Sequence, residues 1–264
     1  MTPNSEPDKD FPWWLLIAGA IGCWLVWEVI ADDIYAKVLA TLAKGLWITL
    51  FVTVVAFAMA TGLGLLLAVM SLSRRVLLRQ IARFYIEIVR GVPMMVLLLY
   101  VAFVLSPVLV VGWNAVLETF GFDPIRPRDF DLMWRAIIAL TIGYSAFIAE
   151  VFRAGLQSIE RGQVEAAEAL GLGPWLRFRL IVFPQAFRRI LPPLGNDFVA
   201  MVKDSSLVSV LGVADVTQLG KVTAAGNFRY FETYNVVALI YLILTITLSL
   251  GLRRLERHLR QKQG

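Results

Sequence analysis

Six stretches of this chain are apolar over about the length a helix needs to cross a lipid bilayer. A helix rises about 1.5 Å per residue, so ~20 apolar residues span a hydrocarbon core about 30 Å thick. The stretches are Trp13–Ala31, Leu46–Val69, Met94–Val111, Ala136–Phe152, Leu194–Val213 and Tyr234–Leu252. The second and sixth are the clearest, and the fifth is the most polar. Apolar residues make up 58% of the 264 positions, which argues against one large soluble domain or two small ones. Lipid offers no partner to an open backbone, so spanning segments of this length are helices. The expected fold is an all-α integral membrane protein with about six transmembrane helices.

Basic residues set the expected orientation. The net charge of +5 would suggest nucleic acid in a soluble protein, but here the cytoplasmic loops account for it. Lys9, the Arg74–Arg90 stretch, the Arg153–Arg189 stretch and the C-terminal tail hold 17 lysines and arginines. The opposite connections hold 7, and Lys203 lies within the fifth block. Both termini and Arg153–Arg189 are therefore predicted to be cytoplasmic. Gly112–Trp134, with Gly121, Pro124 and Pro127, reads as an exposed loop on the other side. Met1–Asp10 lacks the basic start of a signal peptide, so the first block reads as a retained helix. A single cysteine, Cys23, and a single histidine, His258, leave no disulfide, no metal cluster and no cysteine–histidine catalysis to expect. His258 reads as a solvated tail residue.

The segment from Leu156 to Pro184 is the most informative. Gln163–Leu170 is rich in helix formers. Gly171 or Gly173 suits a left-handed helix end, Pro174 suits the first turn of a second helix, and Pro184 interrupts the hydrogen-bond ladder. Local physics thus reads helix, turn, helix. The adjacent Ala166 and Ala167 offer a low surface for another protein, with nearby arginines and glutamates able to form ion pairs. An ordinary interfacial hairpin would have the same local pattern.

The combined spacing is more specific. Glu165-Ala166-Ala167, then Gly171, then Ile181-Val182-Phe183-Pro184 resembles the cytoplasmic motif of binding-protein-dependent ABC importer permeases, with Phe183 in place of the usual leucine. Arg90-Gly91-Val92-Pro93, the stretch Ala149–Gly155, Ala169–Leu172, Phe183–Ala186 and Lys203–Leu207 are similar to the polar amino acid branch of that family. The resemblance covers about Lys44 to the C-terminus. It implies a five-helix type I importer core over residues 44–264, preceded by a tail and an extra helix over residues 1–43. It further implies that residues 156–184 form a coupling helix docking on a separate ATPase through Glu165, Ala166, Ala167, Gly171 and Pro184. The partners implied are ATP-binding cassette ATPases, a second permease subunit (identical or related), an extracytoplasmic solute-binding protein, membrane lipid and an amino acid substrate. The location implied is the bacterial cytoplasmic (inner) membrane. No cofactor is implied.

The fifth block carries the pathway candidates. At 100° per residue, Asn196, Asp197, Lys203 and Asp204 fall within about 120° of one helix face, with Ser205 and Ser206 following. Ionisable groups inside a membrane usually face a bundle interior or a water-filled cavity. Two readings stand: a path for a zwitterionic solute, or a structural network between helices. Tyr144 and Glu150 in the fourth block are further candidates, and a salt bridge to Arg153 is the simpler account of Glu150. Pro93 and Pro107 suggest kinks. Trp13, Trp14, Trp47 and Trp134 suggest interface anchors.

The chain has no Gly-x-x-x-x-Gly-Lys-Ser/Thr phosphate loop, so an importer of this type needs a partner to hydrolyse ATP. A self-contained secondary transporter or channel would leave the coupling spacing unexplained. A membrane enzyme would need a paired nucleophile and base or a metal cluster, and neither is present.

Overall fold

The computed structural model describes residues 13–261. The tail Met1–Asp10 and the side chains of Trp14 and His258 lie outside the described residues. The described chain is helical throughout: α1 (Trp13–Ala31), α2 (Asp33–Ser71), α3 (Val76–Gly91), α4 (Met94–Tyr100), α5 (Ser106–Thr119), α6 (Leu132–Gln157), α7 (Arg161–Ala169), α8 (Pro174–Arg177), α9 (Phe183–Asp204), α10 (Val216–Asn227) and α11 (Tyr230–Gln261).

Among the described residues, four helical stretches are long and apolar enough to cross a membrane: Asp33–Ser71, Met94–Thr119, Leu132–Gln157 and Tyr230–Arg257. The first apolar block is also a helix, within which Gly19–Ala31 is a shorter apolar stretch. The fifth block differs from expectation. It is not one helix over Leu194–Val213. α9 starts earlier, at Phe183, and ends at Asp204, where the chain tightens into a 3-10 helix over Ser205–Leu211 that Gly212 closes at φ 82°. The lysine-bearing stretch between the first two blocks is helical too. Only Asp32 separates α1 from α2, and its carboxylate caps α2 by accepting from the Ile34 N–H at 2.7 Å.

α6 is the axis of the bundle. Small residues on α2 and α6 let the two backbones approach, as in other membrane helix pairs. A β-carbon on Gly64 would lie 3.0 Å from the Ser145 carbonyl oxygen and 2.8 Å from Ile148. The core around them joins Val52, Ala56 and Ala60 to Ile137, Leu140 and Ile148. α3 reaches this level as well. The Tyr85 hydroxyl donates to the Ile142 carbonyl at 3.1 Å and lies 2.9 Å from Ser145 Oγ.

Two prolines expected to kink helices are absorbed by π-turns. Pro107 has no N–H for the α-helical ladder. The chain just before it, Val101–Leu105, winds to an i→i+5 bond from the Ser106 N–H to the Val101 carbonyl. Ala102 is then left without a backbone donor five residues on, and Arg135 Nη1 donates to its carbonyl at 2.9 Å. Pro184 has the same effect at the start of α9. Phe178–Val182 is a π-turn, with the Phe183 N–H bonded to the Phe178 carbonyl. Pro93 acts differently, since it ends the approach from α3 and caps the start of α4.

Candidate coupling segment and transport pathway

The candidate coupling segment, residues 156–184, folds as a tight hairpin. α7 ends in a Schellman turn: the Gly171 N–H donates to the Glu168 carbonyl at 2.9 Å and the Leu172 N–H to the Ala167 carbonyl at 3.1 Å. Gly171, at φ 76°, is the left-handed residue. Gly173, the other glycine considered, has φ −60° and precedes Pro174 at the start of α8. Arg177 pairs with Glu168 at 2.8 Å across the turn. The Gln185 amide donates to Gln163 Oε1 at 2.6 Å, and Arg189 donates to the Ser158 carbonyl.

Ala166 and Ala167 do not form a shared exposed surface. Glu165 and Ala166 are exposed, but Ala167 is buried at 3% exposure and accepts the turn hydrogen bond. Val164, one turn earlier on α7, packs against the cluster of Ile159, Ala186 and Ile190, and Ala167 shares that helix face. Pro184 is exposed and sits just beyond the π-turn.

The pathway candidates separate into four places. Tyr144, Asp197 and Asp204 converge on a cavity of about 230 Å³ that Val89, Val92, Met94, Leu97, Phe147 and Ala200 also line. The Tyr144 hydroxyl donates to Asp204 Oδ2 at 2.8 Å. Asp197 Oδ2 is buried without a hydrogen-bond partner. Asn196 and Lys203 are exposed on the other edge of the polar sector. The sector is therefore two stripes, each made of residues seven apart: carboxylates toward α6, and the amide and ammonium toward the outside of the protomer. Lys203 has no ion pair among the described residues, and the partner of Asp204 is the tyrosine. Ser205 is buried and its hydroxyl donates to the Val202 carbonyl at 2.8 Å. Ser206 leaves the α-helical face because the 3-10 helix has begun.

Glu150 forms a salt bridge with Arg153. Both line a separate cavity of about 460 Å³ with Ser71, Arg83, Glu87, Arg90 and Gln157. Arg90 also lies over the Phe147 ring at 5.6 Å, so it stands between the two cavities. Phe147, Val92 and Met94 are not among the pathway candidates read from the sequence. The signal available was the Gly91-Val92-Pro93 break, because a broken helix at membrane depth is stable where it lines a cavity.

Comparison with known proteins places these features in a family. Residues 60–263 match the model for "binding-protein-dependent transport system inner membrane component". The glutamine transport system permease protein GlnP of Escherichia coli is 36% identical over 219 residues, covering 83% of this chain and 93% of that protein. The probable amino-acid permease protein YxeN of Bacillus subtilis is 36% identical over 212 residues, covering 80% and 87%. Among solved structures, one chain of an amino acid ABC transporter with histidines superposes with a TM-score of 0.71 at 35% identity, covering 84% of this chain and 96% of that one. The chain belongs to the binding-protein-dependent inner-membrane transport components, as a permease subunit of an ABC importer.

Proposed function

We propose that this permease forms half of a transmembrane pathway for polar amino acids and receives its driving force through residues 156–184. The observation that carries the reading is the hairpin itself. Glu165 and Ala166 stand exposed on α7, and Gly171 and the Arg177–Glu168 pair hold α8 against it. A rigid exposed hairpin can transmit a push from an ATPase into α9, which follows it without interruption.

In this reading ATP is hydrolysed by partner ATPase subunits, and an extracytoplasmic binding protein delivers the solute. A second permease subunit closes the pathway against the stripe that holds Asn196 and Lys203. Tyr144, Asp197 and Asp204 meet the polar groups of the solute. Glu150 serves the Arg153 pair. Both termini and the hairpin are cytoplasmic, in the inner membrane of a bacterium. Residues 1–43 are an addition to the transport unit at 44–264, with α2 running through the junction. A self-contained secondary transporter would leave the hairpin without a role.

Co-reconstitution tests this. Uptake of labelled amino acid into proteoliposomes should require both the ATPase subunits and ATP. Equal uptake by the permease alone would refute the proposal.

A further inference from the structure

α3 presents three faces of different chemistry. At 100° per residue, Ala82, Ile86 and Val89 fall on one side, and all three are buried against α2 and α6. Leu77, Ile81, Phe84 and Ile88 fall on a second side and are exposed, from 48% at Ile81 to 71% at Leu77 and Phe84. Arg83, Glu87 and Arg90 fall on a third, within about 60° of one another, and are exposed as well. They make no ion pair among the described residues.

The depth of α3 decides what those faces meet. Ala82 and Ile86 share a cluster with Leu67 and Ala149, and a β-carbon on Gly143 would touch Met94, just past the Pro93 break. α3 therefore runs beside the half of α6 that leads into the hairpin. Glu150 lies about 10 Å before the end of α6 at Gln157, at 1.5 Å per residue. That is inside one leaflet, about 15 Å of hydrocarbon. Charges at such a depth need water or a partner. Lipid suits the face of Leu77, Ile81, Phe84 and Ile88. The charged face opens onto the cavity of about 460 Å³, where Glu150 and Arg153 of α6 also stand. This cavity and the 230 Å³ chamber of Tyr144, Asp197 and Asp204 occupy successive turns of the same two helices. Between them the Arg90 guanidinium lies over the Phe147 ring at 5.6 Å. Breaking that contact strands no buried charge, because Arg90 is already exposed to the larger cavity.

We propose that the charged face of α3 lines a water-filled exit from the chamber to the cytoplasm, and that Arg90 resting on Phe147 closes it. The inference rests on the proposed pathway and on the cytoplasmic placement of the hairpin. Arg83, Arg90 and Glu87 offer both signs of charge, so a solute carrying a carboxylate and an ammonium meets a partner for each as it leaves. The Glu150–Arg153 pair braces the opposite wall.

The test uses the full transporter complex in inside-out vesicles, with cationic and anionic methanethiosulfonates added at the cytoplasmic face. Single cysteines replace residues 84, 87 and 200 in a Cys23→Ala background. Residue 87 should react with both reagents about tenfold faster than residue 84, which faces lipid. Residue 200 lines the chamber and should react slowly in the parent. Arg90→Gln and Phe147→Ala should each speed its reaction with both reagents by about tenfold, the scale of one desolvated cation–π contact. Phe147→Tyr keeps the ring face and should stay slow. Arg90 is exposed, so Arg90→Gln reads the gate even where Phe147→Ala does not fold. A change of field alone would speed the cationic reagent and slow the anionic one, and that result would overturn the gate. So would a rate at residue 200 that is fast in the parent or slow in both variants. Equal reaction at residues 84 and 87, or protection of residue 87 in the complex, would overturn the water-filled exit. ATP-driven uptake by the parent is read separately: its absence sinks the proposed function, whereas the reaction rates decide this inference.

Discussion

At Gly171 the backbone turns left-handed, a conformation that costs a residue with a β-carbon about 1–2 kcal/mol. The strain falls on the joint between α7 and α8. Gly171→Pro should leave the protein inserted and abolish substrate-stimulated ATP hydrolysis in the reconstituted complex. Glu165→Lys should do the same by reversing an exposed charge on α7. Full stimulation in both variants would remove the coupling role from this hairpin. Arg135 is a different kind of residue. It is buried at 7% exposure, and its guanidinium donates to the carbonyls of Ala102, Phe130 and Pro127. Each buried acceptor left unsatisfied costs about 1–3 kcal/mol. Arg135→Met should therefore lower the thermal stability of the detergent-solubilised protein and speed proteolysis of the loop around residues 120–131. At Lys203 the expected effect is smaller, because Tyr144 already serves Asp204. Lys203→Met should leave the thermal stability of the isolated permease unchanged. Asp204→Leu should reduce it and should not be rescued by adding Lys203→Met. Rescue in the double variant would show that the two charges pair.

Elements in this protein are joined by prolines that shift register more than they break helices. The π-turn before Pro184 sets the angular position of α8 relative to α9. Pro184→Ala restores an N–H at residue 184 and allows the α-helical ladder to close. The extra residue is then lost from the turn, and everything before it rotates by about 100°. Gln163 and Gln185, now 2.6 Å apart through their side chains, would separate. A Gln163→Cys/Gln185→Cys pair in a Cys23→Ala background should cross-link efficiently with Pro184 present and poorly with Pro184→Ala. ATPase stimulation should fall in parallel. Equal cross-linking in both backgrounds would show that the π-turn does not set the hairpin.

For the whole molecule the charge asymmetry along the chain makes the firmest expectation. Single cysteines at residues 124 and 165, in a Cys23→Ala background, can be labelled with an impermeant maleimide in intact cells. Residue 124 should react from outside and residue 165 only after permeabilisation. The reverse would invert the topology and move the hairpin away from any cytoplasmic ATPase.

The sequence by itself determined the membrane setting, the helical class and the family resemblance, and narrowed the hairpin's turn to Gly171 or Gly173. These depend on runs of residue type and on short spacings, and one strand of chain carries all of that information. Ala166 and Ala167 look equivalent in sequence, as do the four polar residues on the wheel of the fifth block. Only packing distinguishes them. α7 turns Ala167 inward, and α9 presents Asp197 and Asp204 to Tyr144 while Asn196 and Lys203 face out. A wheel gives angles about one axis and cannot place the neighbouring helix that gives those angles an inside and an outside. The same limit applies to Pro107 and Pro184. Sequence marks a missing N–H, but whether the helix kinks or takes up a π-turn depends on what satisfies the freed carbonyl. At Pro107 that partner is Arg135, 33 residues away from Ala102 and brought beside it by the packing of α6.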